Sequence, residues 1–348
     1  MKERVYIKSG ERLTESIAEI FDELRVANIR RKKVFLKPNM LRAAKPGDGV
    51  VTNPQLIFET VAYLLARGAD VIVGDNAAPD NRRGTQEIAR ECGFSEAACG
   101  TFRNIGKYTK KIRRQKNLLK EVYVSREITD CDLLISLPKF KTHELTIMSV
   151  ALKNQFGIIP GGLKPYIHAL FPKLDDFSKV LIEIYDIRPP DVVIVDCLDI
   201  TDARGKRFAP QKIIAGNNGY AIDYVCALMA GISPYDIPLL RIAKEERLFN
   251  PDNIEIIGEF EKLADYATPF RFPLRTSVVE FVAKILYKLQ ISRIPIIDDT
   301  RCSKCLSCEN VCPKRAIKDL RIDYNKCIKC YCCIEVCPEA AIKTKFKL

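Results

Sequence analysis

The sequence predicts an α/β protein in which helices cover both faces of a mostly parallel β-sheet, followed by a small α+β module rich in cysteine. Apolar residues make up 47% of the 348 positions, enough for a large core. Short apolar runs alternate with stretches of helical periodicity, and nine of the 14 cysteines lie between positions 302 and 337. We therefore predict an α/β domain at residues 1–268, a linker with an amphipathic helix at 269–297, and the cysteine-rich module at 298–348.

The first half of the predicted sheet comes from three apolar runs. Leu13, Ile17 and Ile20 recur at helical spacing between the first two runs. Pro54 suits the first turn of a helix, and Gly68 suits the end of that helix. These features predict strands at residues 5–7, 34–36 and 71–73 and helices at residues 12–28, 54–66 and 84–92.

The second half alternates in the same way. Apolar runs predict strands at residues 122–124, 133–135, 192–195, 213–214 and 254–256. Helices are predicted from about residue 145 to 154 and at 173–187, 219–230 and 235–247, with a loop rich in glycine and proline at 157–165. Strands that alternate with helices form a mostly parallel sheet covered on both faces.

A linker at residues 270–273 precedes a predicted amphipathic helix at residues 277–290. One stripe of this helix carries valine, isoleucine and leucine, and the opposite face carries Glu280, Lys284 and Lys288. We predict that the stripe packs on protein and fixes the module against the α/β domain. The alternative is a helix on an anionic membrane surface, where Lys284 and Lys288 meet lipid headgroups.

The cysteine-rich module contains one spacing twice. From Cys302, cysteines follow at intervals of two, two and three residues and a proline comes next, and Cys327 begins the same run 25 residues later. Three cysteines at this spacing can wrap three corners of a 4Fe-4S cube. We therefore predict two 4Fe-4S clusters, held by Cys302, Cys305, Cys308, Cys312, Cys327, Cys330, Cys333 and Cys337.

This double run resembles that of bacterial-type two-cluster ferredoxins over residues 298–348. The resemblance implies that the fourth cysteine of each run ligates the other cluster. A structural zinc site is the alternative, but zinc closes with four ligands and does not require third cysteines or prolines in both halves. Cys332 lies outside the pattern and is interpreted as a small residue beside a cluster. The first cysteine set is then Cys302, Cys305, Cys308 and Cys337, and the second cysteine set is Cys327, Cys330, Cys333 and Cys312.

Polar residues follow the predicted strands of the α/β domain, where ligands bind in open α/β sheets. If the strands are adjacent, we expect one crevice with excess positive charge, suited to a small anionic ligand such as a phosphate or carboxylate. The alternatives are buried ion pairs for the charged residues and an ordinary loop histidine for His143. The candidate site residues are Lys37, Asn39, Asp75, Asn76, Lys139, Lys141, His143 and Asp196.

Six short motifs lie at or near these strand ends. They resemble the domain-of-unknown-function 362 family over roughly residues 30–258. The resemblance implies an α/β domain in a cytosolic iron-sulfur protein, often with an appended ferredoxin, and it supplies no reaction. Lys153 and Asn154 belong to one motif, and the alternative is that they are residues at a helix end. The motifs are KPN (37–39), TNP (52–54), VGD (73–75), LPKFKTH (137–143), KNQFGIIPG (153–161) and VVIVD (192–196).

Positive charge is concentrated in two places in a chain of net charge +12. Residues 301–348 hold 11 Lys and Arg against 5 Asp and Glu, an excess that balances anionic clusters and favours a redox partner with an acidic docking surface. Residues 101–120 hold eight basic residues and no acid. We interpret this basic segment as a solvated or partner-docking face rather than a nucleic-acid site, because it has only two aromatic residues.

The N-terminus has no apolar secretory region, and no run of 18 apolar residues occurs. We therefore expect a reduced, cytoplasmic protein from an organism that keeps oxygen away from such clusters. Neither a GxGxxG run after a strand nor a Walker A motif is present, so nicotinamide and ATP have no support. A flavin stays open, because many flavin sites lack a short signature.

Three functional hypotheses follow. The leading one is an iron-sulfur redox protein, a candidate oxidoreductase, whose ferredoxin module relays single electrons to or from the α/β crevice or a docked partner. The second is a non-catalytic electron carrier or assembly subunit in which the α/β domain only recognises a partner. The third is a nucleic-acid-binding protein with structural clusters, which would bind RNA or DNA with a strong salt dependence.

Overall fold

The computed structural model describes residues 2–77, 84–269, 293–337, 339 and 341–346. The linker at 270–273 and the amphipathic helix predicted at 277–290 lie outside these residues. Within the described part of the chain, no helix is both long enough and apolar enough to cross a membrane.

The strands and helices follow one another as expected for an α/β domain with a small second module. The strands are β1 (Glu3–Ser9), β2 (Lys33–Pro38), β3 (Asp70–Val73), β4 (Thr109–Arg113), β5 (Glu121–Ser125), β6 (Leu133–Leu137), β7 (Lys141–His143), β8 (Ile147–Ser149), β9 (Val192–Cys197), β10 (Ile200–Thr201), β11 (Arg207–Phe208), β12 (Lys212–Gly216), β13 (Ile254–Ile257), β14 (Arg293–Ile297), β15 (Ile317–Lys318), β16 (Arg321–Ile322) and β17 (Ile342–Phe346). The α-helices are α1 (Leu13–Glu23), α2 (Pro54–Ala66), α3 (Thr85–Glu91), α4 (Phe94–Ala97), α5 (Arg126–Thr129), α6 (Ala151–Asn154), α7 (Leu163–Leu170), α8 (Leu174–Tyr185), α9 (Gly219–Met229), α10 (Pro238–Glu245), α11 (Ser307–Val311) and α12 (Cys332–Glu335).

A seven-stranded sheet in the order β13-β1-β12-β9-β6-β2-β3 forms the centre of the α/β domain. β12 runs antiparallel to both of its neighbours, and the other neighbouring strands pair in parallel. The mostly parallel sheet predicted from the sequence is therefore confirmed. Its register places Lys37 of β2 opposite Ser136 of β6, which aligns the carboxyl ends of these strands.

Both faces of the sheet are covered. Val34 and Leu36 of β2 belong to one buried apolar cluster, whereas Phe35 between them belongs to another. Successive side chains of a strand point to opposite faces, so two clusters are the expected result of a sheet buried on both sides. All six residues of β9 are buried, as is typical of a central parallel strand.

Three predicted segments differ from the structure. The strand predicted at 122–124 does not join the central sheet, because β5 pairs with β4 in a separate two-stranded sheet. The helix predicted from about residue 145 is replaced by the antiparallel hairpin of β7 and β8, and only the short helix α6 follows it. Ile147 adopts φ 65° at the start of β8, a left-handed conformation that a continuous helix would not allow. The loop predicted at 157–165 is shorter, because the 3₁₀ helix Gln155–Ile158 precedes it and α7 starts at Leu163.

The cysteine-rich module repeats its backbone conformation as well as its sequence. Leu306 and Tyr331, 25 residues apart, both adopt left-handed conformations, with φ 58° and 60°, just before the short helices α11 and α12. The backbone N–H of Ala316 donates to Cys312 Sγ at 3.2 Å, and that of Ala341 donates to Cys337 Sγ at 3.2 Å. The module is thus built from two copies of one structural unit.

Candidate functional site

Polar side chains from four strands meet at the carboxyl edge of the central sheet. Lys37 is part of β2, Asp75 follows β3, Lys139 follows β6 and Asp196 is part of β9. β3, β2, β6 and β9 are consecutive neighbours in the sheet, so their carboxyl ends form one continuous edge. We call this edge of the sheet, with the loops that lie against it, the crevice.

A buried ion pair joins the ends of β2 and β3. Lys37 Nζ lies 2.8 Å from Asp75 Oδ1, and their side chains are 0% and 3% exposed. The other carboxylate oxygen of Asp75 accepts the backbone N–H of Met40 at 2.7 Å. Burial lowers the pKa of Lys37, and the charge of Asp75 opposes that shift. This pair neutralises two residues of the crevice.

A second buried ion pair joins the ends of β6 and β9. Lys139 Nζ lies 3.0 Å from Asp196 Oδ2 and 3.1 Å from Asp199 Oδ1. Asp196 also accepts the backbone N–H groups of Asn53 at 2.6 Å and Leu198 at 3.0 Å. Burial raises the pKa of Asp196, and Lys139 is the first opposing influence. The pair ties the start of α2 to the sheet.

Lys141 has a different environment from Lys37 and Lys139. Its Nζ donates to Asn39 Oδ1 at 2.6 Å and to the carbonyl oxygen of Val50 at 2.8 Å, and both acceptors are neutral. Burial and the nearby ammonium groups of other lysines lower the pKa of Lys141 to about 7. Among the described residues, no carboxylate forms an ion pair with Lys141.

Hydrogen bonds of Asn154 and Asn76 connect the strand ends to the loop between α6 and α7. The Asn154 side-chain amide donates to Ser136 Oγ at 2.8 Å, and its oxygen accepts from Asn39 at 3.3 Å. Asn76 Nδ2 donates to the carbonyl oxygens of Gly157 at 3.1 Å and Ile159 at 3.0 Å. Asn76 Oδ1 is buried without a hydrogen-bond partner in the described structure. The loop therefore rests directly on the crevice.

His143 lies at the rim of the crevice as a neutral imidazole. Its Nδ1 accepts the backbone N–H groups of Leu145 at 3.1 Å and Thr146 at 3.3 Å. We therefore assign the proton to Nε2. Burial, with the charges of Lys153 and Lys141, lowers the pKa of His143 to about 2. At neutral pH the ring can donate one hydrogen bond but carries no charge.

Three further basic residues at the crevice were not among the candidate residues. Lys153 precedes Asn154 on α6, and burial with the charge of Lys164 lowers its pKa to about 8. Lys164 Nζ donates to the backbone oxygen of Asn76. His168 stacks on Phe177 with ring centroids 4.1 Å apart. The sequence held one signal, since Lys153 begins the KNQFGIIPG motif, but nothing in it placed Lys164 or His168 here.

The cysteines of the double run surround two cavities. One cavity is lined by Cys302, Cys305, Cys308 and Cys337. The other is lined by Cys312, Cys327, Cys330, Cys332 and Cys333. Each cavity thus has four cysteines of the repeated spacing, one of them from the opposite run, and this donor set fits a 4Fe-4S cluster. Within the described residues, no three Cys, His, Asp or Glu side chains converge closely enough to hold a single metal ion.

The second cavity lies against the α/β domain. Cys332 is fully buried and packs on Gly162, where an added Cβ would lie 2.7 Å from Cys332 Sγ and would overlap the carbonyl oxygen of Cys330. Cys332 and Val336 share the buried apolar cluster of the α/β core. Cys332 is therefore a packing residue at the contact between the two parts of the chain.

One short loop connects this contact to the crevice. We call residues 157–162 the crevice loop. Gly157 at its start lies so close to the Lys37–Asp75 pair that a Cβ would overlap Asp75 Oδ1. Gly162 at its end touches the backbone of Cys330 and Cys332. Six residues of the chain therefore connect the second cysteine set to the crevice.

The remaining cysteines and the basic segment lie elsewhere. Cys92, Cys197 and Cys226 are buried, whereas Cys99 is exposed. The basic segment contains β4, which pairs with β5 in a hairpin missed in the sequence. Lys111 of this hairpin lies 3.4 Å from Glu121, so part of the positive charge of the segment is neutralised locally.

Comparison with known proteins identifies two family models in the chain. The model described as "Domain of unknown function (DUF362)" matches residues 34–228. The model described as "4Fe-4S binding domain" matches residues 295–318 and 320–343. The chain therefore carries two 4Fe-4S binding motifs, as the cysteine spacing predicted.

One curated relative and one solved structure resemble the chain. The thylakoid-associated protein sll1697 from Synechocystis sp. is 28% identical over 233 residues, which cover 64% of this chain and 70% of that protein. The lactate racemase apoprotein from Thermoanaerobacterium thermosaccharolyticum superposes with a TM-score of 0.44 and 14% identity. That match covers 67% of this chain and 58% of the racemase chain.

Proposed function

The chain belongs to the DUF362 family, and from this membership and its two 4Fe-4S motifs we propose that it is an iron-sulfur redox protein. Its C-terminal module relays single electrons to or from the crevice of the α/β domain. The observation that carries this proposal is the crevice loop, because it contacts the Lys37–Asp75 pair at one end and the backbone of Cys330 and Cys332 at the other.

The cysteines divide into the two crossed sets implied by the ferredoxin resemblance. This division is supported by the two cavities, each lined by three cysteines of one run and the fourth of the other. When bound, the clusters would supply one-electron transfer.

Metal analysis tests the cluster count. Anaerobically purified protein is expected to contain two clusters, roughly eight iron atoms and eight sulfides per chain. Iron and acid-labile sulfide assays with an absorbance spectrum provide the measurement. Stoichiometric zinc in place of iron would contradict the proposal and support the structural zinc alternative.

The two cysteine sets differ in their surroundings, and this difference supports an order of the two sets in the proposed relay. The second cysteine set lies at the contact with the α/β domain, whereas Cys305 of the first set is exposed. The first set is therefore placed to exchange electrons with an external partner, and the second set with the crevice. An acidic docking surface on that partner fits the basic composition of the module.

Substituting Gly162 tests the relay. Gly162→Ala is expected to push the module away from the crevice loop, because the added Cβ meets backbone atoms that cannot rotate aside. The variant should keep its iron but reoxidise its reduced clusters more slowly in the presence of an anionic substrate found by screening. Cluster absorbance under anaerobic conditions, after reduction with dithionite, gives the rate.

Gly84→Ala is the matched control, because a Cβ at Gly84 meets no atom of the described residues within 4 Å and its φ is ordinary. Equal reoxidation rates in the wild type and both variants would overturn the proposed route. If no compound reoxidises the clusters, the alternative of a non-catalytic carrier or assembly subunit is favoured. We also propose that the protein is cytoplasmic.

A further inference from the structure

Three lysines and two histidines surround the crevice without being fully enclosed. All of them are partly exposed, unlike Lys37 and Lys139, which are at most 1% exposed. They are therefore within reach of solvent and of a small ligand. The five residues are Lys141, His143, Lys153, Lys164 and His168.

Lys141 and Lys153 are the members of this group that carry the argument. Lys37 and Lys139 each have a carboxylate within about 3 Å, but in the described part of the chain no ion pair involves Lys141 or Lys153. Lys141 donates only to neutral oxygens of Asn39 and Val50. Two partly buried ammonium groups without a directly paired carboxylate are costly, because burial weakens their solvation and they repel each other.

The same burial lowers the pKa of both ammonium groups. Their pKa values fall to about 7 for Lys141 and about 8 for Lys153, with burial as the first cause in each case. His143 stays neutral and can donate from Nε2. The charged groups that act on Lys141 are Lys153, Asp75, Lys139 and Lys164, and those that act on His143 are Lys153, Lys141 and His168.

We propose that Lys141 and Lys153, with His143 as a neutral donor, form a binding site for a small oxyanion with at least two negative charges. Phosphate groups and dicarboxylates share this chemistry. Two ammonium groups match two negative charges, and ammonium-to-oxyanion hydrogen bonds are stronger than neutral ones. The inference rests on the proposed function, because it names the class of compound that the crevice takes.

Binding of such an anion is coupled to proton uptake. A bound anion favours the charged form of a neighbouring lysine and so raises its pKa. Above pH 8 the two lysines of the empty site are largely deprotonated, and binding then requires protons from solution. Affinity for an anion of fixed charge should therefore increase as the pH falls from about 9 to 7 and level off below the pKa of Lys141.

Sulfate is the first probe, because its charge is constant over this range. Isothermal titration of the anaerobic holoprotein is expected to show sulfate binding that tightens towards pH 7, with proton uptake revealed by buffers of different ionisation enthalpy. Lys141→Gln and Lys153→Gln should each weaken binding roughly tenfold or more. Lys120→Gln, at an exposed position of the basic segment, should leave affinity unchanged. Titrations with malonate and with inorganic phosphate then show whether the site prefers a dicarboxylate or a phosphate.

Three outcomes would overturn the site: no binding of sulfate, malonate or phosphate; binding that does not depend on pH; or equal affinity in the wild type and the two crevice variants. Because titration needs no electron transfer, the result is independent of the redox proposal. Cluster reoxidation without any oxyanion binding would contradict the oxyanion site but not the proposed relay. Oxyanion binding in a protein whose clusters no substrate reoxidises would contradict the relay but not the oxyanion site.

Discussion

Replacing Lys139 with alanine is expected to lower the free energy of unfolding by about 3–5 kcal/mol, the cost of leaving a buried carboxylate without its partner. Asp196 is 0% exposed and loses the ammonium group at 3.0 Å, while its two backbone contacts remain. The same pair joins the ends of β6 and β9, so its loss also weakens the edge of the sheet where the crevice lies. Chemical denaturation under anaerobic conditions, followed by far-ultraviolet circular dichroism, measures the change.

Two further variants show whether the loss of stability comes from the missing charge of Lys139 or from other changes at the site. Lys139→Met keeps an unbranched apolar chain of similar length and should be destabilised nearly as much as the alanine variant, because Asp196 still lacks its counter-charge. Lys141→Ala is the matched control, since it removes a lysine that forms no ion pair with a carboxylate of the described residues and relieves repulsion with Lys153. If Lys139→Met and Lys141→Ala changed stability equally, the structural role assigned to the Lys139–Asp196 pair would be wrong.

The sequence was sufficient to group four charged residues at one edge of the sheet, for a physical reason. Runs such as VVIVD and KVFLK are apolar because parallel strands are buried on both faces, and the polar residues that end them must then share one edge of the sheet. Lys37, Asp75, Lys139 and Asp196 could be grouped on this basis, and the structure brings them together. Which lysine has a carboxylate partner depends on contacts across 38 or 57 residues of chain, and periodicity carries no such information.

The predictions from the sequence were wrong where the local apolar pattern and the tertiary structure disagreed. Residues 141–149 form a hairpin, although their apolar spacing also fits a helix, and short apolar runs cannot be told apart by periodicity alone. The contact between Gly162 and Cys332 could not be anticipated, because each residue lies in a loop whose position is set by a different part of the chain. The two 4Fe-4S motifs are the opposite case, since their cysteine spacing is local and can be read directly from the sequence.

Replacing Cys312 with alanine is expected to remove about half of the iron, because alanine cannot ligate and a 4Fe-4S cluster needs its fourth thiolate. The structure places Cys312 with Cys327, Cys330 and Cys333 rather than with the earlier cysteines of its own run. Loss of iron alone would not show which cluster was damaged. Double variants settle that question, because the result depends on whether two cysteines belong to the same set.

With crossed sets, Cys312→Ala combined with Cys330→Ala damages one cluster, since both thiols line one cavity. Cys312→Ala combined with Cys305→Ala damages both clusters, since Cys305 lines the other cavity. The two double variants should therefore retain about half and almost none of the iron, respectively, as measured by iron assay and electron paramagnetic resonance of the reduced protein. Cys332→Ala is the control and should keep both clusters, because Cys332 lies outside the repeated cysteine spacing and packs on Gly162. The reverse order of iron loss in the two double variants would mean that each run holds its own cluster and that the crossed assignment is wrong.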